Sequence, residues 1–261
     1  MGWVLKIRKI RSRVIILLAI WLVLLLTTLY VLSTLAGMFK TDSDGGTLSS
    51  LSWAGYIIPQ DFNSKFEVTS VEASWIVPQV NITAGDGYSS AWIGIGGHSE
   101  KTLIQVGTEH DVLSGQDRYS AWYEMLPALS ETIEEITVSP GDTVAASVSL
   151  IDSNADMWNI QLNDTTNGQA FSINVNYNSS LTSGEWIVER PTISNQISNL
   201  CDFGTIPFSN CQITLNNVNG VISNFTYSKI LMSNQLGVQL ASVSKLNSDG
   251  SSFTVNYATG S

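Results

Sequence analysis

The chain has little with which to do histidine, cysteine or metal chemistry. Only two histidines (His98, His110) and two cysteines (Cys201, Cys211) occur among 261 residues. No G-x-S-x-G elbow accompanies the histidines, no H-E-x-x-H spacing exists and there is no C-x-x-C. A serine triad, a zinc-peptidase helix and a structural zinc site therefore lack their parts, and no metal or cofactor is expected. Two-aspartate proteolysis needs a pair of D-[ST]-G turns, but Asp44-Gly45 and Asp249-Gly250 lack the intervening residue. Bases are scarce too. Six of the 12 Lys+Arg precede residue 41, which leaves 6 against 22 acids and a formal charge of −16 for residues 41–261. Phosphate contacts need Lys/Arg clusters, so nucleic acid is excluded as a partner. Once its carboxylates protonate, such a chain holds little positive charge to repel itself, which suits an acidic exterior.

What is present begins with a 26-residue stretch free of charge, Val14–Phe39, preceded by five bases. As a helix it spans about 39 Å, enough to cross a bilayer with tilt. The bases hold residues 1–13 in the cytoplasm and leave the rest outside. A cleaved signal peptide is the alternative, but its apolar region runs only about 7–15 residues. Four N-x-S/T sequons, at Asn81, Asn163, Asn178 and Asn224, agree with a membrane-anchored, extracellular domain. Outside the cell, Cys201 and Cys211 are close enough in sequence to close a short disulfide loop; two buried free thiols are the other possibility.

Thr41–Ser50 (TDSDGGTLSS) is polar and glycine-containing, which assigns residues 40–51 to a linker and 52–261 to one domain. From Trp53 onward the pattern is of short strands. Val71, Ala73, Trp75 and Val77 alternate with Ser70, Glu72 and Ser74, and Phe171, Ile173, Val175 and Tyr177 with Ser172, Asn174 and Asn176. Pro140-Gly141-Asp142, Asn167-Gly168, Asn219-Gly220 and Asp249-Gly250 mark turns. No amphipathic helix is visible, so the expected fold is an all-β antiparallel sandwich of jelly-roll, concanavalin-like type, after one transmembrane helix. A monomeric domain is expected.

In SAWIGIGGHSEKTLIQVG (Ser90–Gly107), two strands flank a glycine break, and the second carries a lone amide, Gln105, facing away from Ile104 and Val106. In GEWIVERP (Gly184–Pro191), Glu189 shares a face with Ile187 and Glu185 and opposes Trp186 and Val188. Trp92, Trp122 and Trp186 lie within a few residues of these groups, and aromatic walls with a few polar groups make a ligand cleft.

These blocks, with YSAWYEMLP (Tyr119–Pro127), Trp53-Ala54-Gly55 and Asp202-Phe203-Gly204 through Phe208, resemble in order and spacing the signature blocks of the glutamic peptidases, the eqolisin or G1 family. The resemblance covers nearly all of residues 52–257. It implies an acid-acting endopeptidase on polypeptide substrates. The family's catalytic glutamine falls on Gln105, and its catalytic glutamate on Glu189 and not Glu185. Glu189 would be the general base that activates water, with a carboxyl pKa not strongly raised and Arg190 a candidate neighbour. Gln105 would hold that water and donate to the oxyanion, and its amide does not titrate. Trp53, Trp92 and Glu124 are candidates for substrate contact. The chain departs from fungal members at Gly96, where they carry Asp, at Met125, and in having no long propeptide. Two other classes stay open: a jelly-roll glycosidase using Glu124 and Glu189, and a surface module that binds glycan through its tryptophans.

Overall fold

The computed structural model describes residues 44–58, 67–98 and 101–258. The expected transmembrane segment, Val14–Phe39, lies outside them, and among the described residues no helix is long and apolar enough to cross a membrane. The strands are β1 (Asp44–Ser50), β2 (Trp53–Ile58), β3 (Val68–Ile76), β4 (Ser90–Gly96), β5 (Leu103–Leu113), β6 (Gln116–Met125), β7 (Glu131–Thr132), β8 (Thr143–Asp152) and β9 (Met157–Asp164). They continue as β10 (Ala170–Asn176), β11 (Gly184–Glu189), β12 (Thr192–Ile193), β13 (Gln196–Ile197), β14 (Thr205–Leu215), β15 (Val218–Val221), β16 (Tyr227–Ser233), β17 (Gln239–Val243) and β18 (Phe253–Tyr257).

Hydrogen bonding joins them in the order β10-β9-β8-β3-β14-β18-β17-β16-β2-β11-β4-β5-β6-β7, and the sheet turns back on itself so that its two halves pack face to face. The halves are tied across the core. The Trp75 indole N–H on β3 donates to Thr108 Oγ1 on β5 (2.9 Å), that of Trp186 on β11 donates to the Glu72 carbonyl on β3 (2.8 Å), and Tyr123 on β6 stacks on Phe171 of β10 at 5.6 Å. Each such bond satisfies an indole donor that burial would otherwise strand. The expected alternation on β3 and β10 holds: Val71, Ala73 and Trp75 are buried, while Glu72 is exposed. This is an all-β, antiparallel sandwich.

Two expectations change. Asp44–Ser50 is a strand, not linker: β1 runs parallel to β16, with Leu48 opposite Ile230, so its backbone finds partners that its polar sequence does not advertise. The disulfide is absent, because Cys201 and Cys211 are separate free thiols. Cys201 packs with Val80 and Val112, and Cys211 lies in the main core. Most of the chain between them, from Thr205 on, belongs to β14, and the two residues sit in separate clusters. His110 is part of the core. It is fully buried on β5 with Nε2 2.7 Å from Thr108 Oγ1, and burial pushes it down to about 3, so it stays neutral and structural.

Candidate active site

One turn sets the register on which the site depends. Ser114 and Gly115, at φ +56° and +71°, join β5 to β6 by a two-residue loop whose left-handed backbone matches the strand twist. Leu113 then faces Gln116, and counting back places Gln105 directly opposite Glu124. On the other side β11 lies between β2 and β4, so Glu189 faces Trp53 and Ser90, and Ser90 faces Glu109. Because facing residues share a side of the sheet, Gln105, Glu109, Glu124 and Glu189 all project from one surface.

That surface forms the floor of a cleft of ≈ 290 Å³ whose lining includes Trp53, Gln105, Glu109, Trp122, Glu124 and Glu189. Three grooves are larger: those of ≈ 540 and ≈ 550 Å³ each carry one ionisable side chain, Glu72 and Arg190 respectively, and that of ≈ 460 Å³ carries Asp86, Asp202, Arg190 and Tyr257 but no tryptophan and no buried amide. The Gln105 amide is almost wholly buried, with Nε2 donating to Glu124 Oε2 at 2.6 Å and Oε1 buried without a partner. An ionised carboxylate accepts only, so it fixes which end of the amide faces it. Glu189 Oε2 accepts from the Trp92 indole N–H at 2.9 Å. Although part of the residue stays open to the cleft, burial pushes its carboxyl up to about 7; the Trp53 and Trp92 indoles pull the other way, and Glu124 adds repulsion. Burial also raises Glu124, against the Gln105 hydrogen bond that lowers it.

The expected residues divide. Gln105, Glu124, Glu189 and Trp53 meet at the cleft. Trp92 is fully buried beneath it, edge-on to Trp53 with ring centroids 5.0 Å apart, and holds Glu189 rather than lining the wall. Trp186 faces the core on the opposite side of β11. Arg190 does not approach Glu189: its Nε and Nη1 donate to the Leu51 and Ser198 carbonyls at 2.7 and 3.3 Å. The Glu189 carboxyl is also higher than the sequence reading required. Gly96, at φ +90° with the Thr102 carbonyl where a Cβ would stand, leaves no room for the aspartate of fungal members. Sequence reasoning missed Tyr177, whose hydroxyl accepts from Leu103 N–H and donates to the Leu126 carbonyl, both at 2.8 Å. It lies one residue past β10, and nothing in the alternation from Phe171 to Tyr177 distinguishes it.

Gly107 shows how closely this floor is built. A Cβ there would lie 2.5 Å from the Ala91 carbonyl oxygen and 2.6 Å from Trp92 Cβ. Gly107→Ala is expected to cost about 1–3 kcal/mol by overpacking. It should also displace Trp92 and so lower kcat per folded molecule. Urea unfolding together with kcat checks this; unchanged values for both would show that the floor has slack.

Residues 51–257 match the Peptidase A4 family. The chain belongs to that family. Among curated relatives it is 29% identical over 189 residues to aspergillopepsin-2 of Aspergillus niger, covering 63% of this chain and 64% of that protein. It is 26% identical over 200 residues to scytalidopepsin B of Scytalidium lignicola, covering 70% of this chain and 71% of that protein. Among solved structures, scytalido-glutamic peptidase with a transition-state analogue inhibitor superposes with a TM-score of 0.67 over 80% of this chain and 99% of that one; at 21% identity this shows the fold. Aspergilloglutamic peptidase from Aspergillus niger matches with a TM-score of 0.59 at 28% identity, covering 66% of this chain and 99% of that one. The chain thus spans just under two thirds of the length of aspergillopepsin-2. The resemblance to glutamic peptidases drawn from the sequence blocks stands, as the A4 matches are to proteins of that kind.

Proposed function

We propose that this A4-family protein is an acid-acting endopeptidase whose centre is Gln105 and Glu189. The observation that carries the reading is their shared face: register brings a buried amide and a carboxyl of raised affinity for protons to one aromatic-walled cleft. Perturbed titratable groups in a cleft mark functional sites. In its ionised form Glu189 takes a proton from water as the water oxygen attacks the scissile carbonyl carbon. It returns that proton to the amide nitrogen as the C–N bond breaks. Because its carboxyl titrates at about 7, only a minority of molecules hold that form in acid, and the stronger basicity offsets part of the deficit. One Gln105 N–H is committed to Glu124, and the other donates to the developing oxyanion. Its Oε1 is turned into the floor, which favours this donor role over holding the water.

The test uses the full-length protein on an unfolded protein substrate across pH 2–7. Gln105→Ala is expected to lower kcat by about 10²–10³-fold, the cost of one oxyanion donor. A glycosidase built on Glu124 and Glu189 would tolerate that change, so wild-type kcat in the variant would sink the assignment. For location, we place the domain outside the membrane; Asn81, Asn178 and Asn224 of its sequons are exposed, as glycosylation there requires.

A further inference from the structure

Three buried side chains on the cleft side of the sheet hold polar oxygens that find no hydrogen-bond partner among the described residues. They are both carboxyl oxygens of Glu185, the Ser183 hydroxyl and Gln105 Oε1; Glu185 and Ser183 are fully buried and Gln105 almost so. The register brings two of them into line. Glu185 faces Gly94 across β11 and β4, Gly94 faces Gln105 across β4 and β5, and Gln105 faces Glu124, so one row runs from Glu185 to the site amide and on to its partner. On its other flank Glu185 meets Ile57, an apolar wall. Gly94 puts no side chain into the row, and a Cβ there would stand 3.1 Å from Gln105 Cβ and 3.0 Å from Leu103 Cδ1.

Two strand spacings set the Glu185 and Gln105 backbones about 10 Å apart, a span that the two side chains close by leaning over the glycine, directly or with one water between. Gln105 Oε1 only accepts, so it needs a donor, and a neutral carboxyl carries one O–H. Burial holds Glu185 well above the usual carboxylate range, against the Ser183 hydroxyl, so in acid the group is neutral. Its row neighbours Ile57 and Gly94 do not titrate, and of the side chains that line the cleft only Glu109, Glu124 and Glu189 do. The same acid removes the other hold on the amide. Glu124 selects the Gln105 N–H while it is ionised, but burial raises its carboxyl too, and once neutral it both donates and accepts and so fits either end of the amide. We propose, resting on the peptidase reading, that Glu185 is a positioning residue: its carboxyl O–H reaches Gln105 Oε1 across Gly94, directly or through one water, and keeps the free N–H of the amide aimed into the cleft. A flipped amide would present an oxygen to the developing oxyanion, and the Glu185 contact prevents that in the acidic range.

The experiment measures kcat and KM of the full-length protein on one fluorogenic peptide from pH 3 to 6. Glu185→Met keeps the length of the side chain and lacks a donor. Its kcat is expected to fall about tenfold at pH 3, the order that one hydrogen bond decides, with KM unchanged. The deficit should shrink as pH rises and Glu124 ionises, a trend that a loosened core would not produce. Glu185→Gln keeps an N–H donor and should restore most of kcat. Wild-type kcat in Glu185→Met, or equal losses in both variants, overturns the proposal while leaving the peptidase reading intact. Should Glu185→Met fail to fold, a crystal structure of the wild-type protein grown at pH 4 decides: a Glu185 oxygen or one bridging water within hydrogen-bond distance of Gln105 Oε1 supports the contact, and neither rejects it. If the wild-type protein cleaves no peptide, the peptidase reading fails instead, and that structure still decides the contact.

Discussion

Glu189→Gln is expected to lower kcat by about 10²–10⁴-fold, the usual worth of a positioned general base, while making the fold more stable at neutral pH. The two effects have one cause. In the folded protein burial pushes this carboxyl up to about 7 from 4.5, so the folded state resists an ionisation that the unfolded chain accepts freely. The stability associated with the protonated form is complete below 4.5 and is lost as pH rises through 7. Glutamine keeps the acceptor for the Trp92 indole and removes the ionisation, which should recover about 2 kcal/mol at neutral pH after allowing for the open side of the cleft. Below 4.5 the variant and the wild type should unfold at the same urea concentration. Activity lost together with stability at both pH values would make Glu189 a structural residue.

The features that set the fold's periodicity were legible, because alternation in β3 and β10 follows directly from which side chains enter the core. Gln105 and Glu189 were singled out by the resemblance of their blocks to those of the glutamic peptidases and not by polarity alone, since β11 also carries Glu185 and β5 also carries Thr108, Glu109, His110 and Asp111. What escaped the sequence depends on neighbours. β5 runs on past Gly107 to Leu113, and the glycine is there to clear Trp92. The Asn219-Gly220 pair signals a turn, but the chain turns at Asn216 and Asn217, at φ +50° and +62°, and Gly220 lies within β15. β1 gains its partners only when β16 arrives, and two cysteines ten positions apart cannot announce that a rigid strand separates them. Trp92, Trp122 and Trp186 are alike as residues; parity about Glu189 separates only Trp186, and burial alone takes Trp92 out of the wall.

The fold itself is expected to fail as the solution approaches neutrality, with the melting temperature falling by about 10–20 °C between pH 4.5 and 7. Three buried acids drive this. Asp111 is pushed from 3.8 up to about 7, mainly by burial and then by Glu109, with the Ser89 backbone N–H and Arg118 opposing. Glu189 reaches about 7, and Glu185, fully buried on β11 with neither oxygen hydrogen-bonded, lies well above its ordinary range; the Ser183 hydroxyl beside it is too poorly placed to offset this. All three are raised, so their contribution is present in full in acid and disappears as pH rises toward and past 7. Each group weakens the fold by up to about 1.4 kcal/mol per pH unit, and three together can remove about 5 kcal/mol, comparable with the whole stability of many domains. Glu185→Gln keeps the shape and removes one ionisation, so it should flatten the pH dependence by roughly a third. Thermal melts of the two proteins from pH 4 to 8 decide it, and equal slopes would mean that Glu185 is ionised in the folded protein. The consequence for catalysis is a division of causes. As pH rises toward 7 the ionised form of Glu189 becomes more abundant, so turnover per folded molecule should climb while the folded population shrinks. Loss of activity near neutrality should then be recovered on reacidification, and its midpoint should move upward in Glu185→Gln, a shift that titration of the catalytic base alone cannot produce.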